Sequence, residues 1–216
     1  MKLKHVNFGN SRWILQILIE YQILFYYTES KLIKLKLTEE LKANLKFPES
    51  KNLQQRGIAD KIEDACNTII KEKFNDVIPA SSRRSIEDIT IGDTYVDHKT
   101  SDAALDFKMP NMISIDRLKK LDRELIYNFV IYDSNKKEII ETFALNVYEL
   151  NWDHLKIQNL GKGQLQITSM VQFLKSPKSN LTKDQWLNKL KEEAILFYKK
   201  VQKDAEKRQK EWQQWQ

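Results

Sequence analysis

Between Ser85 and Thr100 apolar and polar residues alternate, and β-branched side chains recur in both halves of the stretch. A period of two puts alternate side chains on opposite faces of a strand. Gly92-Asp93 divides the stretch and favours a two-residue turn, so the pattern predicts a β-hairpin. With those two residues at its tip, Ile91 faces Thr94, Thr90 faces Tyr95, Ile89 faces Val96 and Asp88 faces Asp97. In that register Glu87 points to the other face, opposite His98. From Ala59 to Phe74 the spacing of Ile62, Ala65, Cys66, Ile69 and Ile70 is helical. Trp13-Ile14, Ile17-Leu18 and Tyr21 make a second helical stripe, for the core or a subunit interface.

Pro48 to Gln55 is polar and reads as a loop, as does Ser81 to Ser85 after Pro79. Met112 to Leu121 is expected to form a helix against the sheet. Leu125 to Tyr132 and Glu138 to Val147 form a second hairpin around Ser134-Asn135-Lys136. Tyr148 to Gly163 is irregular or lightly structured, and Gln164 to Phe173 is a further strand. Thr182-x-x-Gln185 is a capping box before an amphipathic helix that runs to about Lys210. The fold class expected is α/β of an α+β-like kind, a central mixed sheet of about five strands flanked by helices.

Length makes the 216 residues one domain, large enough for a substantial core. A single cysteine, Cys66, rules out a disulfide within the chain and reads as a buried apolar residue in a reducing compartment. His5, His98 and His154 are too scattered for a Cys/His zinc site, so any metal must rest on carboxylates. The net charge of +6 fits a nucleic-acid partner only if it is segregated, because 30 acidic residues lie among 36 basic ones. Trp13 to Tyr27 is the most apolar stretch, but Gln16, Glu20 and Gln22 interrupt it. It falls short of the roughly 20 apolar residues a spanning helix needs, and no small-residue cleavage site follows. The expectation is an intracellular chain with no membrane partner.

Chemistry concentrates on the first hairpin. Asp88 and Asp97 face each other there, with Cβ atoms about 4.5–5.5 Å apart in such a pair, and Lys99 shares the face of Asp97. Stability alone disfavours two carboxylates so placed. A hard divalent cation beside a phosphate favours them, because Mg²⁺ takes one or two carboxylates together with substrate phosphate oxygens. A one-residue shift of the turn would put Glu87 in place of Asp88. Thr100 is either a phosphate contact or an ordinary strand threonine. Lys162, between Gly161 and Gly163, is a backbone-phosphate contact or a solvated turn, and the same holds for Arg83 and Arg84.

The spacing Asp88, Asp97-x-Lys99 resembles the PD-(D/E)xK nuclease signature. Asp97-His98-Lys99-Thr100 is followed after nine residues by Pro110-Asn111-Met112-Ile113-Ser114 and then by Arg117-Leu118. With Leu150-Asn151-Trp152 and Thr182-Lys183-Asp184-Gln185-Trp186, this resembles the blunt-cutting type II restriction endonucleases of the HincII and EcoRV group. The resemblance covers residues 57–200 best. It departs at the hairpin between the two acidic positions, which is shorter here.

The resemblance implies a restriction-endonuclease-like fold. Residues 1–56 would be a helical dimerisation region, 57–175 the catalytic core with its recognition loops, and 182–212 the C-terminal helix. It implies a homodimer acting on a short palindrome in double-stranded DNA with Mg²⁺, leaving blunt ends with 5′-phosphates. Mn²⁺ would substitute, and Ca²⁺ would support binding without cleavage. Asp88, Asp97 and Lys99 would be catalytic, and the metal would sit on the two aspartates and a main-chain carbonyl at His98. Glu63 would be an outer-sphere or second-metal ligand, although Asp60, Asp64 and Glu72 compete with it for that role. Lys108 takes the position of a side chain inserted between bases, and the apolar Met109 beside it is the better wedge. Asn111, whose amide can read base edges, belongs to the same loop, while Asn151 and His154 form the major-groove element. The setting implied is the cytoplasm of a prokaryotic cell, with a cognate DNA methyltransferase as functional partner. Two other readings stay open: a repair or junction-resolving nuclease of the same superfamily, and a DNA-binding module without catalysis.

Overall fold

The computed structural model describes residues 29–49, 55–82, 85–105, 110–158 and 163–215. The Trp13 to Tyr27 stretch, Arg83, Arg84, Lys108, Met109 and Lys162 lie outside them. Helix α1 (29–44) and helix α2 (Gln55–Lys73) precede β1 (Val77–Pro79), β2 (Ile89–Ile91) and β3 (Thr94–Asp102). Next come β4 (Asn111–Ser114), α3 (Ile115–Leu118), β5 (Glu124–Asp133) and β6 (Glu138–Asn146). The chain ends with β7 (Leu155–Gln158), β8 (Gln164–Ile167), α4 (Met170–Lys175) and α5 (Lys183–Gln213).

Five strands form the central sheet in the order β1-β2-β3-β5-β6. It is mixed: β3 and β5 run parallel from Thr94 opposite Glu124 to Asp102 opposite Tyr132, and the other pairs are antiparallel. This is the α+β architecture expected, a five-stranded mixed sheet flanked by helices. The first hairpin has three of the four pairs read from its sequence, Ile89 opposite Val96, Thr90 opposite Tyr95 and Ile91 opposite Thr94. The fourth, Asp88 opposite Asp97, lies outside the ladder because the Asp88 amide bonds the Val96 carbonyl instead. Its turn needs a left-handed residue, and Gly92 supplies it at φ 54°. Strand β5 is buried at every position from Leu125 to Asp133, as a central strand covered on both faces must be.

The two faces of the sheet carry separate cores. On one, Ile89, Val96, Ile126 and Val130 pack against Leu37 and Leu41 of α1 and Ile62, Cys66 and Ile70 of α2. On the other, Tyr127, Phe129 and Ile131 meet Met112, Leu165, Ile167, Phe173 and Trp186. No helix among the described residues is long and apolar enough to cross a membrane.

Three expectations are corrected. Met112 to Leu121 is not one helix: β4 occupies Asn111–Ser114, and only the single turn of α3 follows, with Ser114 accepting at its N-terminus from the Arg117 amide. Gln164 to Phe173 is not one strand, because β8 ends at Ile167 and Ser169 caps α4. The stretch Tyr148 to Gly163 contains β7. Strands β4, β8 and β7 form a second, three-stranded sheet that the sequence did not announce. Each is four residues long, and apolar runs that short do not distinguish strand from helix.

The capping box of α5 is present as read, with Thr182 and Gln185 bonding each other's backbone amides. One turn in, Trp186 is fully buried, donates to the Leu150 carbonyl at 2.8 Å and packs 5.0 Å from the Trp152 ring. Trp186→Ala is expected to destabilise the fold by about 3–5 kcal/mol in chemical denaturation. A loss below about 1 kcal/mol would show that α5 is not anchored there.

Candidate active site

The site exists because β2 stops early. At Asp88 the chain leaves the β3 ladder: its amide bonds the Val96 carbonyl at 2.9 Å, and its side-chain Oδ2 accepts the His98 amide at 2.7 Å. A carboxylate oxygen therefore stands where the next carbonyl of a neighbouring strand would be. Beyond Val96, β3 has no strand partner on this side among the described residues. The N–H and C=O of one strand residue point to the same edge, so the His98 carbonyl faces the gap as well.

Side chains converge on that gap from both faces of the sheet. Asp97 and Lys99 share one face and pair at 2.8 Å, each with 14% of its side chain exposed. Lys99 Nζ also lies 5.6 Å from the centre of the Tyr127 ring. From the other face α2 brings Glu63, whose Oε1 is 3.4 Å from the Thr100 hydroxyl. Of the acidic residues on α2, Asp60, Asp64 and Glu72 are exposed, so burial singles out Glu63.

The electrostatics are those of crowded carboxylates. Burial first, and then the charge of Asp88, pushes Glu63 up to about 7. Burial also carries Asp97 to about 7; the neighbouring Lys99 pulls it down and Asp88 pushes it up. Two carboxyl groups thus change charge near neutrality, a condition that an added cation would relieve.

His98 plays a part the sequence did not reveal. Its ring is buried on the α2 face, where Nε2 lies 3.1 Å from Asn67 Oδ1 and Nδ1 lies 2.9 Å from Asn128 Nδ2. Burial holds its pKa down at about 4, so the ring is neutral. Only the main chain of His98 is left to meet a metal. Among the described residues no three His, Cys, Asp or Glu side chains gather as a metal site. A divalent cation here would rest on Asp88, Asp97 and the His98 carbonyl, with remaining positions for water or phosphate, and this oxygen set suits Mg²⁺.

Asp88, Asp97 and Lys99 line a cleft of about 890 Å³, and Asn111, Ser114, Arg117 and Gln164 form another wall of it, whereas Glu63 and His98 are not among its lining residues. The second small sheet supplies that wall, and Gln164 ties it together by donating to the Met112 carbonyl at 2.8 Å. Glu87 also lines the cleft. This corrects its assignment to the far face: Glu87 lies outside the ladder, so strand alternation does not govern it.

Asn151 and His154 are elsewhere. The Asn151 oxygen accepts from the Asp153 amide, and its nitrogen donates to the Ser176 hydroxyl at 2.7 Å and carbonyl at 3.0 Å. His154 stands edge-on to Phe173 with Nε2 3.5 Å from the Ser176 hydroxyl. Neither lines the cleft. Asn67 and Asn128 were missed, yet both leave a trace. Asn67 is four residues from Glu63 and so on the same helical face, and Asn128 interrupts the apolar run of β5, where a buried amide must find partners.

Asp97 gives a stability test. Its pKa in the fold lies above its unfolded value, so ionisation opposes folding: the cost is absent below pH of about 4, grows from there and is complete above about 7. Without divalent metal, Asp97→Asn is expected to be about 1–3 kcal/mol more stable than the natural chain at pH 8. The gain should vanish towards pH 4. A variant no more stable than the natural chain at pH 8 would show that Asp97 is not held against its charge. Neither a known protein family nor a curated protein matches this sequence.

Proposed function

We propose that the chain is a Mg²⁺-dependent endonuclease for double-stranded DNA, of the type II restriction kind. The observation that supports this most is the Asp97–Lys99 pair beside Asp88 at the open edge of β3, inside a cleft with a polar far wall. A carboxylate pair with an adjacent ammonium is what phosphodiester hydrolysis asks for. When bound by Asp88, Asp97 and the His98 carbonyl, Mg²⁺ would polarise the phosphate and lower the pKa of a water molecule.

The chain's own groups would do the rest. Lys99 holds its ammonium by the Asp97 carboxylate and is placed to orient the attacking water or to stabilise the charge that develops on the phosphate. Water oxygen would bond to phosphorus and give up a proton to solvent as the bond to the 3′ oxygen breaks, and the 3′ oxygen would take a proton from solvent, leaving a 5′-phosphate and a 3′-hydroxyl. Glu63, with a pKa near neutrality, accepts the Thr100 hydroxyl and stands ready to hold a proton or a second cation. In this reading two chains act on a short palindrome, one per strand, because two-fold symmetry in the site calls for two-fold symmetry in the protein. Cleavage at its centre gives blunt ends, and a cognate methyltransferase protects the host.

One observation favours a second reading, a repair or junction-resolving nuclease with the same chemistry. The Asn151 amide already spends its oxygen on the Asp153 amide and its nitrogen on Ser176, and it does not line the cleft. Discrete fragments from a plasmid digest would decide for the restriction reading, and a smear for its rival.

Asp97→Ala and Lys99→Ala are each expected to abolish Mg²⁺-dependent cleavage while duplex binding in Ca²⁺ persists. Cutting by either variant within about tenfold of the natural chain would remove the pair from the chemistry. Asn111, exposed at the start of β4 and lining the cleft, is the base-reading candidate within the described residues. Asn111→Ala should cost about 1–3 kcal/mol of cognate binding and much less on random duplex. An unchanged ratio of the two affinities would rule out base reading by this residue.

A further inference from the structure

Asn67 belongs to two environments at once. It lines the cleft with Asp88, Asp97 and Lys99, while its Oδ1 lies 3.1 Å from Nε2 of the buried His98 ring. Which end of its amide faces the cleft follows from the hydrogen bonds behind it. Asn128 places its oxygen 3.3 Å from the Thr142 hydroxyl, which donates to it, and its nitrogen 2.9 Å from His98 Nδ1, to which it donates. A ring nitrogen that accepts carries no proton, so the proton of the neutral imidazole is on Nε2. Nε2 then donates to Asn67, which meets it with oxygen. The Asn67 nitrogen, with two N–H donors, is left for the cleft.

The surroundings say what those donors suit. Asp88 and Asp97, with Glu63 one helical turn from Asn67, make this wall repel an anion, and Lys99 is already paired with Asp97. A neutral amide offers donors to an anion without being drawn into an ion pair with those carboxylates. We propose that the Asn67 amide is an oxyanion-binding group of the cleft, donating to a non-bridging oxygen of a phosphodiester and held in that pose by His98, Asn128 and Thr142. This rests on the reading of the cleft as a phosphodiesterase site and adds to it a substrate contact.

Two variants test it together. Asn67→Asp keeps an oxygen for His98 and loses the donors, whereas Asn67→Ala loses both. Binding to a duplex oligonucleotide in Ca²⁺, cleavage in Mg²⁺ and the His98 Nε2–H proton resonance are measured in each. Binding is expected to weaken about tenfold in Asn67→Ala and further in Asn67→Asp, with the His98 resonance kept in Asn67→Asp. An Asn67→Asp chain that binds within about threefold of the natural one would overturn the proposal and leave Asn67 a support for His98. Loss in Asn67→Asp alone would also overturn it, because repulsion by the new charge would then be the whole effect. If the natural chain binds duplex in Ca²⁺ but does not cut in Mg²⁺, the nuclease reading fails while the binding comparison still decides the role of Asn67. A natural chain that does not bind duplex at all overturns both.

Discussion

Everything at the candidate site depends on one hydrogen bond, from the His98 amide to the Asp88 carboxylate. By accepting it, Asp88 ends the β2 ladder and satisfies the amide that the missing strand would have paired. A sheet interior thereby becomes an edge. At an edge, groups on opposite faces of the sheet come within electrostatic reach of one another, as Glu63 on α2 does of Asp88, Asp97 and Lys99. Continued pairing of β2 would leave Asp97 and Lys99 on one side of a closed sheet and Glu63 on the other.

The edge is kept in place from behind. Strand β5 is buried throughout and runs parallel to β3, with Asn128 opposite His98. Thr142 on β6, Asn128 on β5, His98 on β3 and Asn67 on α2 form a hydrogen-bonded row across the sheet within an otherwise apolar core. Buried polar groups are costly unless every partner is present, so such a row specifies one alignment of these elements. The site carries the opposite kind of strain: burial and mutual repulsion raise the pKa values of Glu63 and Asp97, and Lys99 draws both part of the way back. A hydrogen-bonded network beneath a frustrated cluster of charge is an arrangement that would suit the cation and anion of the proposed reaction.

Much of this was legible in the sequence where local rules act alone. Gly92-Asp93 and its flanking β-branched residues set the hairpin and its register, and Thr182 with Gln185 announced α5. The pairing of Asp97 with Lys99 followed from a period of two. What was not legible depended on long-range partners. Met112-Ile113 became strand because β8 lies beside it, and Glu87 entered the cleft because β2 ends at Ile89, which no alternation rule foretells. The sequence offers His98 only for its main-chain carbonyl and says nothing of its ring, which is committed to Asn67, 31 residues away, and Asn128, 30 residues away. Asn151 has the amide that base reading needs, but Ser176, 25 residues away, engages its nitrogen.

The claim at the centre is that Asp88 and Asp97 form a place for a divalent cation at the open edge of β3. The Asp97 carboxyl reports on it directly by its ¹³C resonance through a pH titration, with and without saturating Ca²⁺. Without metal its midpoint should lie near 7, and with Ca²⁺ it should fall by about one unit or more, as an opposite charge within reach requires. A midpoint that Ca²⁺ does not move would contradict the account.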